Sequence, residues 1–347
     1  MNRIVYTITA VFLLITSCDT GSRYPDKPAT SNLSTPTGII NYLKNLPAVK
    51  DVQPWQNIYG PGVTITTKHY IVHTTLLEPL MLRQVPGFVE SAHKAYQSQL
   101  PKPIETKTMF TVYLFADRAQ WEEFTKEFTG PAARLYLKIK KGAYYLNDAC
   151  VTYNIGRTRT FSVLAHEGWH HFNSKHFIYR MPSWLDEGIA MLFEASRYEK
   201  GLFYFDPQQN SGRLGSLRKT LQTDNIIPLR TLIGLNPGEV VSDTDDVMAF
   251  YSQSYALVRF LREENYGIRL SNYHDLLLGA LRGSWPLDAP LQKIAANRNI
   301  PLTTKWNKVV SPKLFSLYIE EDLERLEAEY LAFCRKIVYR VRLTNEK

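Results

Sequence analysis

Apolar and polar residues alternate along several stretches of the first half of the chain and recur at helical spacing through much of the second. Val63-Thr64-Ile65-Thr66-Thr67 and His69-Tyr70-Ile71-Val72-His73 alternate as strands do, and Thr108 to Phe115 is rich in β-branched and aromatic residues. Between them, Glu78 to Leu100 carries helical spacing through Leu82, Val85, Val89, Ala92 and Tyr96, interrupted at Pro86-Gly87. Asp117 suits an N-cap for a helix from Arg118 to Phe128. Gly142 to Asn154 predicts one or two more strands, and Thr160 to His176 a helix led in by Phe161, Val163, Leu164 and Ala165. Met181 to Glu194 predicts another helix, started by Pro182-Ser183 and striped by Leu185, Ile189, Leu192 and Phe193. Gly201 to Glu239 is rich in Gly, Asn, Pro and Asp and predicts loops around one short helix, Leu214 to Leu221. Helices follow at Val247 to Glu264, Tyr273 to Leu281, Leu291 to Ala296 and, as one long element, Leu317 to Leu343. The expected fold class is α+β. A small N-terminal α/β subdomain occupies residues 38–135, a central unit 136–265 and a mainly helical region 266–347.

The first residues follow a different logic. Arg3 precedes an apolar stretch, Ile4 to Ile15, shorter than the roughly 20 residues that a spanning helix needs. The closing Ile15-Thr16-Ser17-Cys18 resembles a bacterial lipobox, which implies a signal peptide over residues 1–17 and lipid on Cys18. Such a lipid anchors a protein on the extracytoplasmic side of a membrane without a spanning segment. Asp19 resembles the inner-membrane retention signal of some Gram-negative bacteria, and the choice of membrane stays open. Residues 18–37, dense in Ser, Thr and Pro, predict a flexible tether.

Composition changes this picture only at two points. The net charge of +8 is spread along the chain, and no G-x-x-x-x-G-K-[ST] or C-x₂-C pattern accompanies it, which argues against nucleic acid as a partner. Of the three cysteines, Cys150 and Cys334 remain beside Cys18, either as a disulfide or as two buried thiols.

The chemistry concentrates in H-E-G-W-H, residues 166–170. On a helix His166 and His170 stand one turn apart, roughly 6 Å along the axis and about 40° around it, so that both can grip one ion. Glu187 falls in the first turns of the next helix, and a helix–loop–antiparallel helix brings it opposite the histidines. Two His, one Glu and an open position form the catalytic rather than the structural type of zinc site. His69 and His73, four apart on a strand, lie roughly 13 Å from one another, too far for one ion.

H-E-G-W-H followed by P-S-W-L-D-E-G-I-A resembles the gluzincin metallopeptidases. It is most similar to the peptidase-MA-like bacterial lipoproteins, with their P-x-W-L-x-E-G-(I/L)-A pattern, and more distantly to the M1-type aminopeptidases. The resemblance implies a thermolysin-like zincin catalytic core and one Zn²⁺ held by His166, His170 and Glu187. It further implies that Glu167 is the general base for attack of a zinc-activated water on a peptide bond. It also implies that the strand before the helix pairs with an extended peptide, a role that falls on Gly142, Ala143 and Tyr144, and loosely on Tyr145 as the end of that stretch. Tyr251 stands where the aminopeptidases carry an oxyanion-stabilising tyrosine, with Tyr255 one turn on as the alternative. The ligand gap differs from that of the aminopeptidases, and G-A-Y-Y-L replaces their G-A-M-E-N exopeptidase motif, so amino-terminal trimming does not carry over. The expectation is therefore a membrane-anchored zinc peptidase acting on peptides or proteins. The alternative is an envelope scaffold lipoprotein that keeps the zinc but turns over weakly or not at all.

Overall fold

The computed structural model describes residues 35–140, 142–240, 243–297 and 304–339. The expected signal peptide, the lipidation site Cys18 and the tether up to residue 34 lie outside the described residues. The end of the expected tether is already folded. Helix α1 (Pro36–Lys44) starts with Thr35 accepting a hydrogen bond from the Gly38 N–H, and Pro36 sits where a missing N–H costs nothing.

Three strands follow, β1 (Asp51–Pro54), β2 (Val63–Thr66) and β3 (Tyr70–Thr74). Helices α2 (Pro79–Leu82) and α3 (Val85–Gln97) lead to β4 (Phe110–Phe115), and α4 (Arg118–Thr129) and α5 (Ala133–Tyr136) lead to the hairpin β5 (Ala143–Leu146) and β6 (Ala149–Tyr153). Pro86 and Gly87 do not interrupt a helix. They lie in the first turn of α3, where proline fits, and the break comes earlier, at Arg83-Gln84.

All six strands form one mixed sheet in the order β1-β2-β3-β4-β6-β5, with β3, β4 and β6 parallel and the other pairings antiparallel. β6 pairs with β4, so the sheet continues across the boundary expected between 135 and 136. Alternation decides which layer each strand residue enters. Phe110, Val112 and Leu114 of β4 face the main core, while Phe115 joins Trp121, Phe124, Tyr144 and Val151 on the opposite face, under α4.

The helical part begins with α6 (Arg157–His176) and α7 (Ser183–Ala190). A two-stranded hairpin, β7 (Ser196–Glu199) and β8 (Leu202–Phe205), then turns at Lys200-Gly201, both with positive φ. β7 is exposed throughout, whereas β8 buries Phe203 between exposed neighbours, and β8 falls in the stretch expected to be loop. Next come α8 (Ser211–Gln222), α9 (Leu229–Leu232), α10 (Thr244–Glu263), α11 (Leu270–Arg282), α12 (Ala289–Ala296), α13 (Thr304–Tyr318) and α14 (Leu323–Tyr339). The single helix expected from Leu317 is two helices. Glu320 accepts hydrogen bonds from the N–H groups of Glu321 and Asp322, and Asp322 caps Arg325, so the acidic run starts α14 instead of continuing α13. Leu326, Tyr330 and Phe333, at spacings of four and three along α14, are buried on one face. Cys150 and Cys334 are free thiols, both buried. No helix among the described residues is long and apolar enough to cross a membrane.

Glycine governs how closely α7 approaches α10. A Cβ on Gly188 would stand 2.5 Å from Val258 Cγ2 and 2.6 Å from the Ser254 carbonyl oxygen, so this crossing admits hydrogen alone. Gly188→Ala is expected to cost about 1–3 kcal/mol, the usual penalty of overpacking, read as a lower urea midpoint. An unchanged midpoint would contradict the tight crossing.

Candidate metal centre

Helix α6 carries His166, Glu167 and His170 on its cavity side because its other side is fully committed. Phe161, Leu164, Ala165, Trp169 and Phe172 are buried in the main core, and the Tyr96 hydroxyl donates to the Ala165 carbonyl at 2.7 Å. The histidine rings lie 5.1 Å apart, centroid to centroid.

Helix α7 is pinned at its start. The Ser183 N–H donates to Asn307 Oδ1 at 3.0 Å and Trp184 Nε1 to Ser311 Oγ at 3.1 Å, both on α13. The P-S-W part of the sequence pattern thus has a structural reason. Asp186 then ties α7 to α6, accepting from Trp169 Nε1 and Asn173 Nδ2 at 2.9 Å each and facing His170 Nδ1 at 3.2 Å.

These anchors deliver Glu187 to the histidines. Its Oε2 lies 3.2 Å from His166 Nε2 and 3.8 Å from His170 Nε2. His166, His170 and Glu187 each offer one ligand atom, and these atoms all fall within 4.8 Å of one another. Glu187 Oε2 is buried and forms no well-aligned hydrogen bond, despite its closeness to the imidazoles. For bonds of about 2.0–2.1 Å, tetrahedral donors stand about 3.3 Å apart, so the spacing suits one ion between the three residues. An orphaned carboxylate oxygen and two converging nitrogens are what a metal would satisfy. The group can hold a metal ion.

The outer nitrogens are oriented as metal-binding imidazoles usually are. His170 Nδ1 faces Asp186, and His166 Nδ1 meets Glu194 Oε1 at 2.9 Å. Glu194 in turn accepts from Arg213 Nε at 2.8 Å, Arg213 Nη2 at 2.6 Å and Asn210 Nδ2 at 3.0 Å. Without an ion, burial disfavours a charge on His166, but Glu187 and Glu194 outweigh it and hold the imidazole at about 10. His170 is likewise penalised by burial and raised, to about 9, chiefly by Asp186. Glu194 resists the effect of burial and is held well below the usual carboxylate range by Arg213 and His166. Burial pushes Glu167 up, against the pull of the two histidines and a hydrogen bond from the Tyr145 backbone N–H.

His166, His170, Asp186 and Glu187 line a cavity of about 820 Å³, whose walls also include Tyr145 to Asp148, Glu167, Arg180 and Tyr251. Tyr251 reaches it from α10, its phenol raised above the ordinary range by the Glu187 charge and then by burial. Tyr255 does not reach it. That side chain is fully buried, and its hydroxyl donates to the Pro207 carbonyl and accepts from Arg259 Nη1.

Gly142, Ala143 and Tyr144 are not brought to the cavity wall. Tyr144 points to the other face of the sheet, where its hydroxyl meets Thr125 Oγ1 at 3.0 Å. The residues of this hairpin that line the cavity are Tyr145, Leu146, Asn147 and Asp148. Alternation makes Tyr145 the inward residue once Tyr144 is outward, and its hydroxyl meets Ser174 Oγ on α6 at 2.5 Å.

The sequence does not single out Asp186, Glu194 or Arg213, whereas Tyr145 closes the stretch expected to pair with substrate and does line the cavity. Asp186 adjoins Glu187, and Glu194 follows it by two helical turns, a spacing that places both carboxylates on one side. Arg213 carries no such signal, since it lies in a stretch that reads as loop. Set against family models and curated proteins, the chain matches none.

The expected outcome for the purified protein is about one divalent transition ion per chain by mass spectrometry, lost in His170→Ala and in Glu187→Ala. Asp186→Asn should retain the ion with about 10–100-fold weaker affinity. Metal retained in Glu187→Ala would contradict the three-ligand site.

Proposed function

We propose that this protein is a zinc-dependent peptidase of the gluzincin type, acting on peptide or protein substrates. The observation that carries the reading is the convergence of His166, His170 and the orphaned Glu187 oxygen on one cavity that also receives Glu167. Two imidazoles and one carboxylate are the donor set of catalytic zinc sites. A thermolysin-like core is supported by the placement of α6 against β5, which ends the sheet and leaves one strand edge open.

His166, His170 and Glu187 would hold the ion. When bound, zinc supplies Lewis acidity, acidifying water and polarising a carbonyl oxygen. Glu167 takes a proton from the water whose oxygen bonds to the peptide carbonyl carbon. As the C–N bond breaks, Glu167 returns the proton to the leaving amine nitrogen. Tyr251 donates its phenolic proton in a hydrogen bond to the carbonyl oxygen as negative charge gathers there. The cavity is large enough to take a few residues of an extended chain and to reduce their contact with bulk water. Lipid on Cys18 would place this activity at the outer face of a membrane, with residues 19–34 as the tether.

Glu167→Gln is expected to lower cleavage of an unstructured protein by about 10²–10⁴-fold while leaving the zinc content unchanged. Tyr251→Phe should lower kcat by about 10²-fold with zinc retained. Full activity in Glu167→Gln would contradict the mechanism, and a wild-type protein that binds zinc but cleaves nothing would leave the scaffold alternative.

A further inference from the structure

The carboxylate that orients His166 is itself held by one planar cation. Arg213, in the first turn of α8, donates Nε to Glu194 Oε2 and Nη2 to Glu194 Oε1, a two-pronged pairing at 2.8 and 2.6 Å. The same guanidinium lies 5.4 Å from the centre of the Tyr251 ring. One side chain therefore touches both the partner of a metal ligand and the tyrosine that enters the cavity. It does so from α8, an element with no ligand of its own.

We infer that Arg213 is a positioning residue that ties the orientation of His166 to the placement of Tyr251. Glu194 is almost buried, with 11% side-chain exposure, and its oxygens share the neighbourhood of Glu187 through His166. Without the fork, Glu194 keeps only His166 and the Asn210 amide as partners, and its carboxylate is free to turn away from His166 Nδ1. Tyr251 meanwhile loses the flat surface against which its ring rests. A lysine cannot replace either function, since it offers a point charge without the fork or the plane. Asn210, from the N-cap of α8, touches Glu194 but not the tyrosine, which leaves Arg213 as the link between the two.

The effect on metal binding follows from the site geometry, whereas the effect on turnover rests on the peptidase reading. The two are separable in one experiment on the full-length protein. Zn²⁺ affinity is measured by competition with a chromophoric chelator for the wild type, Arg213→Lys and Tyr251→Phe, with unfolding midpoints recorded beside it. Arg213→Lys is expected to bind Zn²⁺ about 10–100-fold more weakly, and Tyr251→Phe with unchanged affinity. At saturating Zn²⁺, Arg213→Lys should also lower kcat for an unstructured protein. Combining it with Tyr251→Phe should cost no more than Tyr251→Phe alone, the non-additivity of two residues acting through one contact. If Arg213→Lys fails to fold, Glu194→Gln keeps the shape, weakens the fork and should show the same loss of affinity.

Unchanged Zn²⁺ affinity in folded Arg213→Lys, with only a lower unfolding midpoint, would make the pair a structural ion pair and overturn the inference. Additive losses in kcat would overturn the link to Tyr251. A wild type that binds Zn²⁺ without cleaving anything would sink the peptidase reading alone, and the affinity comparison would still decide the role of Arg213. A wild type that binds no Zn²⁺ would sink both.

Discussion

A carboxylate oxygen buried without a hydrogen bond is expensive, and Glu187 Oε2 is held in that condition between two imidazoles. Removing an ion from water costs on the order of several kcal/mol, and a fold tolerates this only where something else compensates. The two histidines offset part of the cost by carrying positive charge, and an ion bound by all three residues would offset more. The rest of the structure can be understood as what keeps Glu187 there.

That arrangement needs two helices held in register, and the sequence supplies the means at neighbouring positions. Trp169 lies between His166 and His170 in chain order, yet points to the core and donates its indole N–H to Asp186. Asp186 precedes Glu187, so the same residue that staples α7 to α6 also directs the next side chain into the cavity. Ser183 and Trp184 fix the start of α7 on α13, which places a distant part of the chain in support of the site. Gly168 belongs to the same logic. A Cβ there would stand 2.4 Å from the Tyr96 hydroxyl, which bonds to the carbonyl of Ala165, the residue just before His166. Polar residues of the motif thus face the cavity, and its small and aromatic residues hold the helix against the core.

The legible part of this molecule is the part whose signal is local. Helices α6, α7 and α10 follow from apolar spacing, with the acidic run at Asp243 marking the start of α10, and the convergence of His166, His170 and Glu187 follows from spacing on two successive helices. The α+β class follows from strands early in the chain and helices late. What escapes is set by tertiary contacts. The single sheet across residues 51–153 depends on β6 pairing with β4, which no local pattern announces. In the hairpin of β7 and β8 the first strand is exposed throughout and only Phe203 is buried in the second, so the signal is confined to one short strand. Tyr251 and Tyr255 share one face of α10 and differ only in what lies opposite them, the cavity for one and the Pro207 carbonyl for the other. Tyr144 and Tyr145 show the same limit, since a strand tells that they point apart but not which one meets the cavity. Glu194 and Arg213 pair across nineteen positions, and only the folded chain brings them together.

Anomalous diffraction at the zinc absorption edge, from crystals of protein purified without added metal, tests the central claim most directly. The account predicts one strong peak within bonding distance of His166 Nε2, His170 Nε2 and Glu187 Oε2. No peak there in a well-ordered crystal, or a peak held by other residues, would contradict it.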